Sequence, residues 1–282
     1  MTEIDLSQLP APNIVTPLDF EAVLADLKTQ VLASLPELEA VIDLESEPVN
    51  KVLQVVAYQR VTMQARINDA ARACMLAYAT GTDLDHLAAL LAVQRLDGEA
   101  DERLRRRAQL ALEGATVAGS TGSYQFHALG ADARVKDAGI DSPAPGTVRV
   151  TVLSTDGDGA AAPDLLAAVS AALSADDVRP LTDTVTVQTA TVVPFEVRAT
   201  LNVYPGPAAE PLLQAAQLAL DAYLVEHQRL GHDITRSGLF ACLHQPGVQN
   251  VLLHSPAADV TIAPTQAAYC THTEVTLGAA DV

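Results

Sequence analysis

Tryptophan is absent from this 282-residue chain, aromatic residues make up 4% of it, and cysteine occurs three times. With so few large rings, the cores must be filled by Ala, Val and Leu, whose small side chains allow close helix packing. Cys74, Cys242 and Cys270 form an odd set in a long chain. That argues against a disulfide framework and for a reducing compartment. Cations are also scarce: 17 Lys and Arg stand against 35 Asp and Glu, a formal charge of −18. A protein that neutralises phosphates needs concentrated Lys and Arg, so nucleic acid and anionic membrane surfaces are unfavourable partners. No apolar run reaches membrane-spanning length, and the opening Met1-Thr-Glu-Ile-Asp5 has acids where a secretory signal carries a basic patch. Neither secretion nor insertion is expected.

What remains is an ordinary folding composition, 49% hydrophobic and 18% charged, in a chain long enough for two or three domains. Residues 1–17 hold Pro10, Pro12 and Pro17 among polar side chains, which suits an extended arm that orders on assembly. Its surroundings are acidic. Glu3, Asp5, Asp19, Glu21, Asp26, Glu37, Glu39, Asp43, Glu45 and Glu47 face a single Lys28 within the first fifty positions, a solvated face or a dock for a basic partner.

Helical spacing dominates the next segment. Thr16 as cap, Pro17 at the first helical position, Asp19 and a Val15–Phe20 staple predict a helix start. A second start at Leu44-Glu-Ser-Glu-Pro48 opens a helix expected to run toward Gly81, about thirty residues and roughly 45 Å long. Val52, Leu53, Val56, Met63 and Ile67 are the candidate interaction residues on it, because an apolar stripe on so long a rod serves either the chain's own core or an intermolecular bundle. Thr82 with Asp85 opens a further capped helix. The cluster Arg103, Arg105, Arg106 and Arg107, preceded by Asp97, Glu99, Asp101 and Glu102, reads as a solvated helical face, with docking of a neighbouring copy's acidic segment as the sharper alternative.

Gly114, Gly119 and Gly122 break the helices, and Ser142-Pro-Ala-Pro-Gly146 marks a boundary; with Pro143 and Pro145 these glycines are the candidate hinge. Beyond it, Val148, Val150 and Val152 alternate as a strand, Leu165 to Leu173 form a helix, and Val185 and Val187 lie on a second strand. Past Pro194, Phe195 to Val203 give the clearest strand, followed by two helices and a last strand at Val248 to Leu253. The fold class is α+β and multidomain: an arm, 1–17; an all-helical domain with a long helix, 18–130; and two small mixed α/β domains, 131–193 and 194–282.

The search for chemistry nominates no catalytic, cofactor or metal site. The glycines lack phosphate-loop spacing, and Gly119-Ser-Thr-Gly122 lacks the form of a nucleophile elbow. Asp156-Gly-Asp158-Gly lacks the closing ligands of a calcium loop, so a tight turn explains it. Cys242-Leu-His244 and Cys270-Thr-His272 depart from zinc-module spacing. The competing functional class is a cytoplasmic enzyme with a site between the two mixed domains, drawing on His232, Asp233, His244 or Asp156.

Several stretches have an order that is hard to obtain by accident: Leu9-Pro-Ala-Pro12, Pro17-Leu-Asp-Phe20, Leu44-Glu-Ser-Glu-Pro48, Tyr78-Ala-Thr-Gly-Thr-Asp-Leu-Asp85, Val117-Ala-Gly-Ser-Thr-Gly-Ser-Tyr124, Leu230-Gly-His-Asp-Ile234 and Pro246-Gly-Val-Gln249. Together they resemble the baseplate assembly protein J family of contractile phage tails and tailocins along nearly the whole chain. The resemblance implies a non-enzymatic wedge subunit that binds no cofactor. It would pair with other copies of itself and with a smaller wedge protein of the tail I type, next to the central hub and spike and the sheath-proximal baseplate proteins. It also implies a hexameric, iris-like ring that widens on sheath contraction, assembled in the bacterial host cytoplasm. N-terminal helices would enter a core bundle and the C-terminal domains would join copies.

Overall fold

The computed structural model describes residues 4–10, 12–116, 119–176, 178–205 and 209–280. Parts of the arm (Met1 to Glu3 and Ala11), Val117 and Ala118 of the glycine-rich link, and Gly206 and Pro207 of the turn after Val203 lie outside the described residues. Contacts divide the chain into two units, Met1–Arg95 with Ala100–Gln109, and Leu96–Glu99 with Leu110–Val282.

The first unit is built on α1 (Phe20–Ser34), α2 (Pro48–Ala73), α3 (Gly81–Ala89) and the opening turns of α4 (Asp101–Gly114). Asp19, not Thr16, caps α1: its Oδ1 accepts the Ala22 N–H at 2.9 Å. Thr16 is engaged elsewhere, since both of its backbone polar groups bond to Asn68 of α2. With its 26 residues, α2 spans about 39 Å, less than expected, because the chain leaves the helix at Cys74. Gly81, at φ +54°, opens α3 instead of stopping α2. The cap expected from Thr82 and Asp85 is replaced by one from α4: Asp101 Oδ2 accepts the Gly81 N–H at 2.9 Å. Leu24 and Ile42 meet Leu53 and Ala57 of α2 to form this unit's helical core, with Phe20, Val23, Leu27 and Val31 packed around it.

In the second unit, the end of α4 leads to α5 (Thr121–Ala131), β1 (Val135–Ala144), β2 (Thr147–Ser154), α6 (Pro163–Leu173) and β3 (Thr184–Thr189). The strands form a sheet ordered β1-β2-β3. β2 and β3 run parallel with Val148 opposite Val185, which requires the crossover that α6 supplies. This is the strand, helix, strand unit that the alternation predicts. β1, however, is an addition, and it turns Ser142 to Gly146 from a boundary into the tip of an antiparallel hairpin, with Ala144 opposite Thr147. Val135, Val150, Val152, Leu165, Val169 and Leu173 fill the core between this sheet and α5 and α6.

A second sheet follows after one residue, Ala190. It comprises β4 (Thr191–Val203), β5 (Val248–Ser255) and β6 (Gln266–Ala280), in the order β5-β4-β6, with α7 (Ala209–His227) and α8 (Arg236–Leu243) between β4 and β5. The alternation from Phe195 to Val203 appears as expected: Phe195, Val197, Ala199 and Leu201 are buried in one core with Leu220, Leu239 and Leu243, and Val203 is buried too. Pro194 does not end an element; it sits inside β4. The position tolerates it because β5 pairs with β4 only from Arg198 onward, so Pro194 lies on a stretch with a single neighbour, β6. β6, the longest strand, lies beyond the last strand expected. The architecture is α+β, with a helical N-terminal part that includes a long helix and two small three-stranded mixed sheets.

Candidate assembly surface

α2 contains neither glycine nor proline after Pro48, which occupies the first helical turn where its missing N–H costs nothing. At about 100° per residue, Val52, Val56, Met63 and Ile67 fall within an arc of about 60°. All four are exposed, Met63 at 67% of its surface. Val55 and Tyr58 extend this apolar surface at 61% and 63% exposure. Neither was among the candidate residues, although Val55 follows Val52 at the i+3 spacing that would have found it.

Leu53 behaves differently. One residue on from Val52, it points about 100° away, is 7% exposed, and packs with Leu24, Ile42 and Ala57. The helix therefore has two apolar faces, one used by the chain's own core and one left on the surface. The inner face also carries two buried amides, Asn50, which donates to Leu44 O at 3.1 Å, and Asn68. Ion pairs fix α1 along the flank: Arg60 with Asp26 at 2.8 Å, and Lys28 with Asp43 at 2.8 Å. Hydrogen bonds from Gln30 and then Arg60 hold the Asp26 carboxyl below its ordinary pKa.

The arginine cluster of α4 is not a solvated face. Arg105 and Arg107 are 7% and 5% exposed. Arg105 Nε donates to Leu76 O at 2.7 Å and its Nη2 to Ala79 O at 2.6 Å, while Arg107 Nη1 donates to Gln94 O at 3.1 Å. The physical reason is that chain leaving the ends of α2 and α3 presents carbonyls without helical partners, and a guanidinium offers five donors to satisfy them. Asp101 does the converse work for donors, accepting from Gly81 N and pairing with Arg95 Nη2 at 2.7 Å.

The candidate hinge residues divide by position. Gly114 is the last residue of α4, and a Cβ there would lie 2.1 Å from the Phe126 ring of α5. Gly122 lies within the first turn of α5, where a Cβ would meet Glu113 Cγ at 2.8 Å. These two glycines allow α4 and α5 to approach closely. Gly119 is the one held at positive φ, +72°, directly before Ser120, whose Oγ caps α5 through the Ser123 N–H. Pro143 is the penultimate residue of β1, and Pro145 with Gly146 makes the two-residue hairpin turn.

The groups tested for chemistry hold structural positions. The Asp156 to Gly159 segment is a turn closed by Gly159 N to Asp156 O at 3.1 Å, with Asp158 Oδ1 accepting Ala160 N at 3.0 Å. Asp233 Oδ1 accepts Ile262 N at 2.6 Å, and His244 is the exposed C-cap of α8. Among the described residues, no hydrogen bond or ion pair joins any two of Asp156, His232, Asp233 and His244. Cys242 and Cys270 both pack against the core of the second sheet. Burial pushes the Cys242 thiol up to about 11 and raises that of Cys270 too. Among the described residues, no group of three or more His, Cys, Asp or Glu is placed to share a metal ion.

Models of the Baseplate J-like N-terminal, central and C-terminal domains match residues 45–100, 116–189 and 195–277. Baseplate protein J of Escherichia phage P2 is 45% identical to the chain over 301 aligned positions that cover 100% of both. Among solved structures, a chain of the cryo-EM structure of the anti-feeding prophage (AFP) baseplate, 6-fold symmetrised, aligns at 18% identity with a TM-score of 0.42. That alignment takes in 62% of this chain and 42% of that one.

Proposed function

The chain belongs to the Baseplate J-like family, and from that premise we propose that it is a structural wedge subunit in the baseplate of a contractile injection system. The observation that carries this reading is the 45% identity, over the whole of both chains, to a protein named for the baseplate. The role is one of shape and contact, not bond-making.

The exposed stripe of α2 supports a bundle as the mode of contact. A monomer rarely leaves so many large apolar side chains in one band exposed, and covering the part of each that is still exposed would contribute on the order of 1 kcal/mol. Val52, Val55, Val56, Met63 and Ile67 are therefore the surface given to another copy or to a smaller wedge protein. The two mixed domains face neighbouring copies in a ring around the hub. Rearrangement on sheath contraction pivots in the Gly114–Gly122 link, where the positive φ of Gly119 supports a bend that a side-chain-bearing residue resists. The particle, phage tail or tailocin, is assembled in the host cytoplasm.

The test is electron microscopy of particles from a producing strain in which this gene is deleted and then supplied as wild type or Met63→Glu. Deletion should abolish complete baseplates, wild type should restore them, and Met63→Glu should fail to restore them although its protein accumulates. Complete, contractile tails in the deletion strain would overturn the reading.

A further inference from the structure

The family models part the second unit between residues 189 and 195, and the sequence suggested two separate mixed domains. The connection between the sheets is far tighter than that division suggests. Only Ala190 separates β3 from β4, and it is 3% exposed. It is buried in a small apolar cluster with Leu153 of β2 and Ala267 of β6, against which Leu230 packs. Thr191 N donates to Thr265 O at 3.1 Å, so β4 is tied down from its first residue.

Polar contacts reinforce the seam. Asp137 of β1 is 6% exposed; its Oδ2 accepts the Leu230 N–H at 3.1 Å and its Oδ1 the Ala138 N–H at 2.9 Å. Lys136 Nζ donates to Gln228 Oε1 at 2.6 Å, and Gln228 Nε2 reaches Asp158 O at 3.3 Å. Burial, followed by the nearby Arg229, lowers the Lys136 pKa, in keeping with an ammonium drawn into the seam. Glycines let the surfaces meet. A Cβ on Gly139 would lie 3.2 Å from Leu230 Cδ1 and 3.4 Å from Pro264 O. On Gly159, at φ +102°, it would lie 2.6 Å from Leu153 Cδ1 and 3.3 Å from Gln228 Nε2.

We propose that the two sheets and their helices, taken over the described residues from 121 to 280, form one rigid lever, locked where the Asp156–Gly159 turn and β1 grip the Gln228–Gly231 segment. The turn and the Leu230-Gly-His-Asp-Ile234 stretch, neither of which has a chemical role, are then the two halves of the lock. Asp233 anchors its own half by holding Ile262 N, and Ile234 pairs with Val260. A buried carboxylate bonded to backbone N–H groups and an apolar cluster that is already packed have a single good arrangement, so sliding or hinging would leave polar groups without partners. Motion in this half of the chain is confined to its ends, and the orientation of the two sheets is the same before and after any change of state.

Hydrogen exchange of the full chain, followed by mass spectrometry across a denaturant series, tests it. Peptides from β1 and β2 and from β4 and β6 should lose protection at the same denaturant concentration in the wild type. In Leu230→Ala the two sets should separate, with exchange at the seam amides Leu230 and Ala190 faster by on the order of tenfold. If Leu230→Ala does not fold, Lys136→Met keeps the aliphatic stem, removes the bond to Gln228, and should produce a smaller separation. Loss of protection at distinct concentrations in the wild type would show two independent domains and overturn the proposal. So would coincident loss in every folded seam variant.

Discussion

Asn68, near the far end of α2, holds Thr16 by both of its backbone groups: Thr16 N donates to Asn68 Oδ1 at 3.2 Å, and Asn68 Nδ2 donates to Thr16 O at 2.8 Å. Asn68 is 3% exposed, so the chain just before α1 is fastened to a long helix fifty-two positions away by a side chain that water does not reach. Asn68→Ala should lower stability by about 1 kcal/mol, because it removes two hydrogen bonds to Thr16, whose backbone groups lie on an exposed residue and can turn to water instead. It should also speed protease cleavage ahead of Pro17. Denaturant unfolding and timed proteolysis check this; cleavage at the wild-type rate would mean that Asn68 does not hold the arm.

The two faces of α2 predict opposite mutational behaviour. Leu53→Ala opens a cavity in the core it shares with Leu24 and Ile42 and should lower stability by about 2–5 kcal/mol. Met63→Ala, on the exposed face, should stay within about 0.5 kcal/mol of wild type. Urea melts of the purified chain separate the cases. Equal losses at both positions would refute the assignment of one face to the core and the other to a partner.

Asp101 gives the first unit an acid-sensitive cap. The Gly81 N–H, and then Arg95, hold its carboxyl below the ordinary value of 3.8. A carboxyl with a depressed folded-state pKa contributes stability in full above its unfolded pKa, and that contribution is lost as the pH falls through the folded value. Thermal midpoints should therefore drop as the pH falls below about 4, and Asp101→Asn should shrink the drop. An unchanged acid-side slope in Asp101→Asn would place the sensitivity in other carboxyls, such as Asp26 or Asp141, whose pKa values are also lowered.

How much was legible varies from element to element. Pro48 announced α2, and the alternation from Phe195 to Val203 announced β4, because each pattern reflects a single, uninterrupted burial rule. β1 and β6 were hidden by irregularity. β1 buries Asp137 beside Ala138 with a register shift after Val135, and β6 shifts register between Cys270 and His272, so neither strand keeps a clean period of two. The exposed members of the α2 stripe were legible, but Leu53 was not separable from them: a run of apolar residues on a helix does not say which of two faces its own chain will cover.

Alone, then, the amino-acid sequence determined the class of fold, the long helix, the acidic character and the family, because these are carried by local spacing and by residue order along the whole chain. Tertiary structure alone decided that Arg105 and Arg107 serve buried carbonyls, that Asp137 grips Leu230, and that Met63 stays exposed while Leu53 does not. The reason is that a buried donor, acceptor or methyl group is defined by its partner, and the polar partners lie 13 to 93 positions away, where no local pattern reaches.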